Sequence, residues 1–115
     1  MTAEQHDTID FVALSADRRE LMLVIVEERE WTDHGALLPD LQAKLNTYIS
    51  YALDGALAAD HPQHTALPVH IQLRATHEPT ERELDFLRIV AAQVLTPEGI
   101  RLSWRVIGMD EDHPI

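Results

Sequence analysis

Two acidic positions near the start of the chain are candidates for metal chemistry. Asp10 lies in one strand-like run and Glu27 lies near the end of the next. A hairpin that places Phe11 opposite Val24 puts both carboxylates on one face of the pair. Nucleases of the restriction-endonuclease type hold Mg²⁺ with two carboxylates on such strands. Arg29 stands where that pattern has lysine, and the acidic chain repels DNA. These two departures argue against a metal-dependent hydrolase, which is therefore the alternative interpretation and not the leading one.

Histidines form a second group of possible ligands or bases. His61, His64, His70 and His77 fall within seventeen residues. Histidine is the commonest metal-binding side chain, but these spacings match no zinc signature, so His61 and His64 are weak metal candidates. His70, Ser103 and a nearby acid could also form a hydrolytic site, although the chain has no nucleophile-elbow motif. The competing interpretation is that these are ordinary loop and sheet residues.

Composition excludes several classes of function. Acids outnumber bases 20 to 9, which gives a formal charge of −11 and disfavours nucleic acid and anionic membranes as partners. The absence of cysteine excludes disulfides and thiolate sites, and the four glycines form no phosphate-binding loop. The longest apolar run, Leu21–Val26, is too short for a membrane span. We therefore expect a cytoplasmic protein without a cofactor.

The first elements are predicted to form a β-hairpin. The runs Thr8–Leu14 and Leu21–Glu28 are rich in β-branched and aliphatic residues, and a short polar segment, 15–20, separates them. Both faces of this hairpin are apolar. Both are therefore expected to be covered.

The rest of the chain alternates helical and strand-like patterns. Leucines every four residues predict a helix that begins at about Pro39, and Gly55 marks its end or a cap. Val69–Thr76 alternates as a strand, and Thr80 with Glu83 forms a capping-box pattern that opens a second helix. Further elements are a strand at about 100–108 and an acidic tail at 109–115.

This order predicts an α/β (α+β) two-layer sandwich. The succession of patterns gives the order ββαβαβ, and because strand–helix–strand units cross right-handed, two of them that run the same way place both helices on one face. The predicted sheet is four-stranded and mixed, with the last three strands parallel and both helices on one face. Residues 1–115 are expected to form one domain with an ordered core at about 8–108.

The face without helices is the predicted functional surface. It should carry three of the nine basic residues beside an apolar set from the hairpin, a mixture that suits an interface better than bare solvent. The expected function is a non-catalytic interaction module that forms a homodimer or binds another protein, with small-anion binding as a further alternative. An ordinary solvated sheet face is the competing interpretation. The interface or anion-binding candidates are His70, Gln72, Arg74, Arg101, Ser103 and Arg105.

Several longer segments of the sequence indicate a family. Val26-Glu-Glu-Arg-Glu-Trp31, the run from Lys44 to Gly55, Val69-His-Ile-Gln-Leu73 and His77-Glu-Pro-Thr80 stand together in this chain. In this combination the chain resembles a family of small uncharacterised bacterial proteins, over about Thr8–Gly108. The resemblance implies a bacterial, cytoplasmic protein of the predicted architecture. It implies no activity, cofactor or catalytic residue.

Overall fold

A computed structural model describes residues 11–28, 37–64, 66–109 and 111–115. It is an α+β fold in which helices cover a five-stranded mixed sheet with the strand order β1-β2-β3-β4-β5. The strands are β1 (Phe11–Leu14), β2 (Leu21–Glu27), β3 (Val69–Ala75), β4 (Arg101–Val106) and β5 (His113–Pro114). The helices are α1 (Leu37–Leu53), α2 (Ala56–Asp60) and α3 (Glu81–Val90), and 3-10 turns occupy Pro62–His64 and Thr96–Glu98.

The order and direction of the first four strands agree with the prediction. β1 pairs antiparallel with β2, and Phe11 lies opposite Val24 as the hairpin register requires. β2, β3 and β4 are parallel neighbours, so each connection between them is a crossover that carries a helix. The general α+β class and the mixed sheet are therefore confirmed.

The predicted number of four strands is wrong. Residues 113 and 114, assigned above to an acidic tail, form β5 and pair antiparallel with β4. In this register Trp104 lies opposite His113 and Ser103 lies opposite Pro114. The rings of Trp104 and His113 stack, with centroids 4.0 Å apart and planes inclined by 14°. Pairing and stacking bind a segment whose polar composition alone suggested no strand.

One face of the sheet and the helices form a single core. Alternate residues of β2, β3 and β4 lie on this face because side chains alternate along a strand. The buried cluster joins them to residues of α1 and to residues of α3 and the π-helical turn that continues it, Ala91–Leu95. Its central members are Leu23, Ile25, Ile71, Leu73, Leu102, Leu41, Leu45, Tyr48, Leu87 and Leu95. The opposite sheet face contributes no member to this cluster and is called the open face below.

Two helix boundaries lie where the sequence patterns predict them. Gly55 has a φ of 92°, in the left-handed region that favours glycine, and it separates α1 from the short helix α2. The helix predicted from about Pro39 therefore ends just before Gly55, and Leu57 of the same leucine pattern lies in α2. Thr80 precedes α3 as predicted, but its hydroxyl contacts the buried carboxylate of Glu83 and caps no backbone N–H group. Among the described helices, none is long and apolar enough to cross a membrane.

Candidate functional site

The open face brings the six predicted site residues together as three cross-strand pairs. In the β3–β4 register His70 lies opposite Arg101, Gln72 opposite Ser103, and Arg74 opposite Arg105. Residues paired in this way share a face of the sheet. The inner part of the face is buried although it bears no helix. Gln72 is 0% exposed, Ser103 1% and His70 4%, whereas Arg74 and Arg105 are half-buried and Arg101 is exposed.

Glu20 closes the end of this face nearest the β1–β2 turn. Both of its carboxylate oxygens accept hydrogen bonds from Nη1 of Arg101 at 2.8 Å. Its Oε1 also lies 3.4 Å from Nδ1 of His70. The Glu20 side chain is only 16% exposed, whereas that of Arg101 is 59% exposed, so the carboxylate is shielded from solvent and the guanidinium is not.

A compact turn positions Glu20 for these contacts. The Ser15 hydroxyl accepts hydrogen bonds from the backbone N–H groups of Arg19 and Glu20, at 3.2 and 3.1 Å. It donates to Oδ1 of Asp17 at 2.6 Å, and this bond lowers the pKa of Asp17. Arg18 has a φ of 60°, which lets the chain reverse direction within the turn. The short polar segment thus directs a carboxylate onto the open face.

Asp112 closes the other end of the face. Its Oδ1 accepts hydrogen bonds from Nε2 of Gln72 at 2.9 Å and from Nε of Arg105 at 2.5 Å. The same glutamine accepts, through Oε1, a bond of 2.7 Å from Nε of Arg74. Gln72 therefore donates to the carboxylate with one end of its amide and holds a guanidinium with the other. Gln72 and Arg105 thus converge on one carboxylate oxygen, and Arg74 reaches it only through the amide of Gln72.

Charge and burial shift the pKa values of this group in consistent directions. The hydrogen bond and charge of Arg105 hold the pKa of Asp112 below its ordinary value of 3.8. Burial, together with the charge of Arg105, lowers the pKa of Arg74. Burial also lowers the pKa of His70 from 6.5, against the opposing charge of Glu20. His70 is therefore neutral at pH 7, while Asp112 is ionised.

Glu20, His70 and Ser103 stand in the order of a hydrolytic triad. Nε2 of His70 lies 2.6 Å from the Ser103 hydroxyl, and Nδ1 faces Glu20. That geometry suits a general base. The hydroxyl, however, is almost fully buried. Its strand, β4, lies between β3 and β5, so the backbone N–H groups of β4 are used in hydrogen bonds between strands. An oxyanion needs donors beside an accessible nucleophile, so this trio is better explained as support for the face.

A cleft of about 450 Å³ lies over these groups. That volume suits a small ligand. Charged and amide groups form one side of the cleft, and the β1–β2 hairpin forms the other. Its lining includes Ala13, Ser15, Glu20, Met22, His70, Gln72, Arg74, Arg101, Arg105 and Asp112.

The residues proposed for a metal site are not assembled by the described structure. Glu27 is fully buried, and its register opposite Ala75 directs it to the helix-bearing side of the sheet. Asp10 lies outside the described residues. His61 and His64 line a separate cavity of about 90 Å³ with mostly apolar neighbours. Within residues 11–28, 37–64, 66–109 and 111–115, no three His, Cys, Asp or Glu residues are grouped as a metal site. The hydrolase alternative stays a prediction.

Sequence reasoning missed both carboxylates of the site. Glu20 belongs to the polar turn and Asp112 to the polar tail, and neither position carries a motif. Asp112-His113-Pro114-Ile115 shows no alternation of polar and apolar residues, so no local pattern predicts the short strand that follows Asp112.

The fold and site define a small α+β protein with helices on one sheet face and a polar cleft on the other. The chain belongs to a family of unknown function, DUF6572, whose model matches residues 1–108. The uncharacterised family predicted from these sequence segments is thereby confirmed. No curated protein and no solved structure matches the chain.

Proposed function

We propose that this protein is a non-catalytic binding module that recognises a carboxylate-bearing anion on its open sheet face. The observation that carries this proposal is Asp112, whose carboxylate is held by Gln72 and Arg105 inside the cleft. The contacts made to this side chain are those that a ligand carboxylate would need. Hydrogen bonds between charged groups and a preformed amide donor give both affinity and orientation.

The electrostatics of the molecule support a selective site. The chain carries a formal charge of −11, yet three of its nine basic residues meet on this face. A local cluster of arginines attracts anions at short range, while the acidic remainder repels polyanions such as nucleic acids. Small carboxylates are therefore the favoured ligands.

The first test removes the internal carboxylate charge. In Asp112→Asn, succinate is expected to bind at least about tenfold more tightly than to the unchanged chain, because Arg105 loses its charged partner and a tenfold change needs only about 1.4 kcal/mol. Isothermal titration calorimetry at fixed ionic strength measures the two dissociation constants.

Matched variants locate the binding. In the Asp112→Asn background, Arg105→Gln should abolish succinate binding. Arg82→Gln, at an exposed position of α3, should leave it unchanged. Equal binding by these two variants, or no binding in the Asp112→Asn background, would contradict the proposal.

A homodimer through the same face is the second candidate function. Met22 and Val26 are half-buried on this face beside the arginines, so the surface mixes apolar and basic patches. A twofold interface is self-complementary, and the exposed Glu28 is available to the arginines of a second copy, whereas Glu27 is buried.

The cytoplasmic location and bacterial origin remain predictions from composition and from the sequence segments named above.

Light scattering after size-exclusion chromatography tests the dimer. At high micromolar concentration the unchanged chain is expected to have twice the monomer mass, and Arg74→Glu with Arg105→Glu should halve it by placing like charges across the interface. Arg82→Glu with Arg88→Glu, both on α3, is the charge-matched control. A monomeric unchanged chain, or a dimer that survives the first pair of substitutions, would remove this face from the interface.

A further inference from the structure

Residues 111–115 contact β4 as a bound peptide strand would. Asp112 reaches the open face, whereas His113 stacks on Trp104 on the helix-bearing side. The backbone N–H of Ile115 donates to the carbonyl of Leu102 at 3.0 Å, and its side chain packs against the core. Side chains of this segment therefore alternate between two different recognition surfaces of one strand.

Few contacts stabilise residues 111–115 in this position. β5 comprises only two residues, and such a short edge pairing is marginal by itself. The Asp112 side chain is 43% exposed, and Glu111 and Pro114 are exposed as well. The segment also lies beyond residues 1–108, which the family model matches, whereas β4, Gln72 and Arg105 lie within them. The recognition surface thus belongs to the family region and its occupant does not.

We infer that the outer edge of β4 is a docking site for an extended acidic peptide, and that residues 111–115 are its resident occupant. The peptide carries an acidic side chain, then a planar aromatic or imidazole side chain, then any residue, then an aliphatic one. This inference rests on the proposed function, because the acidic side chain occupies the carboxylate site formed by Gln72 and Arg105. Binding of a partner strand displaces the internal one.

The contacts explain why the ligand is a peptide strand. An added strand gains main-chain hydrogen bonds from the sheet edge, and alternate side chains provide selectivity. Here the acidic position meets a guanidinium, the planar position meets Trp104, and the aliphatic position meets the core. A free carboxylate satisfies only the first of these three contacts.

Fluorescence anisotropy with a labelled peptide tests the inference on the full chain. The probe is the peptide of residues 109–115 with an N-terminal fluorescein. The hosts are the unchanged chain, Asp112→Asn and His113→Ala, the last two of which weaken the resident strand through different contacts. The probe is expected to bind both variants at least about tenfold more tightly than the unchanged chain. The same peptide carrying Asp112→Asn should bind at least about tenfold more weakly.

The outcomes separate this inference from the proposed function. Equal binding of the probe to all three hosts, no binding to any of them, or equal binding of both peptides would overturn the docking site. If succinate still binds Asp112→Asn in those cases, the carboxylate site stands and only the strand inference fails. If succinate does not bind either, both fail.

Discussion

Replacing Gln72 with glutamate is expected to reduce succinate affinity by about a hundredfold or more. The substitution keeps the shape of the side chain but exchanges the amide donor that faces the bound carboxylate for a second carboxylate. Like charges placed together at a desolvated contact cost several kcal/mol, and about 2.7 kcal/mol accounts for a hundredfold change. The neighbouring Arg74 already bonds Oε1 of Gln72 at 2.7 Å and would pair with the new charge. We therefore expect a large loss of binding with a much smaller loss of stability.

The measurement compares binding and folding in one set of proteins. Titration calorimetry with succinate in the Asp112→Asn background gives the affinity, and urea unfolding gives the free energy of unfolding. Gln42→Glu, an identical change at an exposed position of α1, is the control and should alter neither. Retention of full succinate affinity in Gln72→Glu would remove this amide from the site.

Stability is expected to fall between pH 7.5 and 5.5 because of His70. Burial holds its pKa below 6.5 in the folded protein, so the unfolded chain binds a proton first as the pH drops. Acid favours the state that binds more protons, which here is the unfolded chain. The free energy of unfolding therefore falls by up to about 1.4 kcal/mol per pH unit for one group. Glu20 and Asp112 oppose the shift and Arg101 reinforces it, but desolvation is its largest cause. Stability from His70 is therefore complete above about pH 6.5 and declines below it.

Urea unfolding at the two pH values isolates this effect by difference. His70→Gln removes the titrating group and should flatten the dependence on pH, whereas His64→Gln, in the turn Pro62–His64, should not. Asp112 does not confuse the comparison. Its lowered pKa means that its contribution is present above 3.8 and is lost only at more acid pH. An equal loss of stability in the unchanged chain and in His70→Gln would show that this histidine is not the cause.

Local patterns were sufficient for most of the fold. The alternation of Val69, Ile71 and Leu73 with polar residues identified β3 and both of its faces, because a strand directs neighbouring side chains to opposite sides. The two strand–helix–strand connections then predicted the parallel order of β2, β3 and β4. The six candidate residues met on one face because strand register is set by these same alternations.

Other features depended on contacts that no local pattern contains. β5 exists because β4 offers an unpaired edge and Trp104 a ring to stack on, and both contacts form across the turn that joins the two strands. Propensity could not identify a two-residue strand.

The sequence by itself determined the family, through the resemblance of its longer segments. It also determined the α+β class, the parallel strands and the basic side of the sheet, because these follow from periodicity along single elements. Only the tertiary structure decided which carboxylates meet those bases. Glu20 belongs to a turn and Asp112 directly precedes a short edge strand, and the Asp112–Gln72 contact joins residues 40 positions apart. Such contacts depend on how separate elements pack in space, and packing is a property of the whole chain.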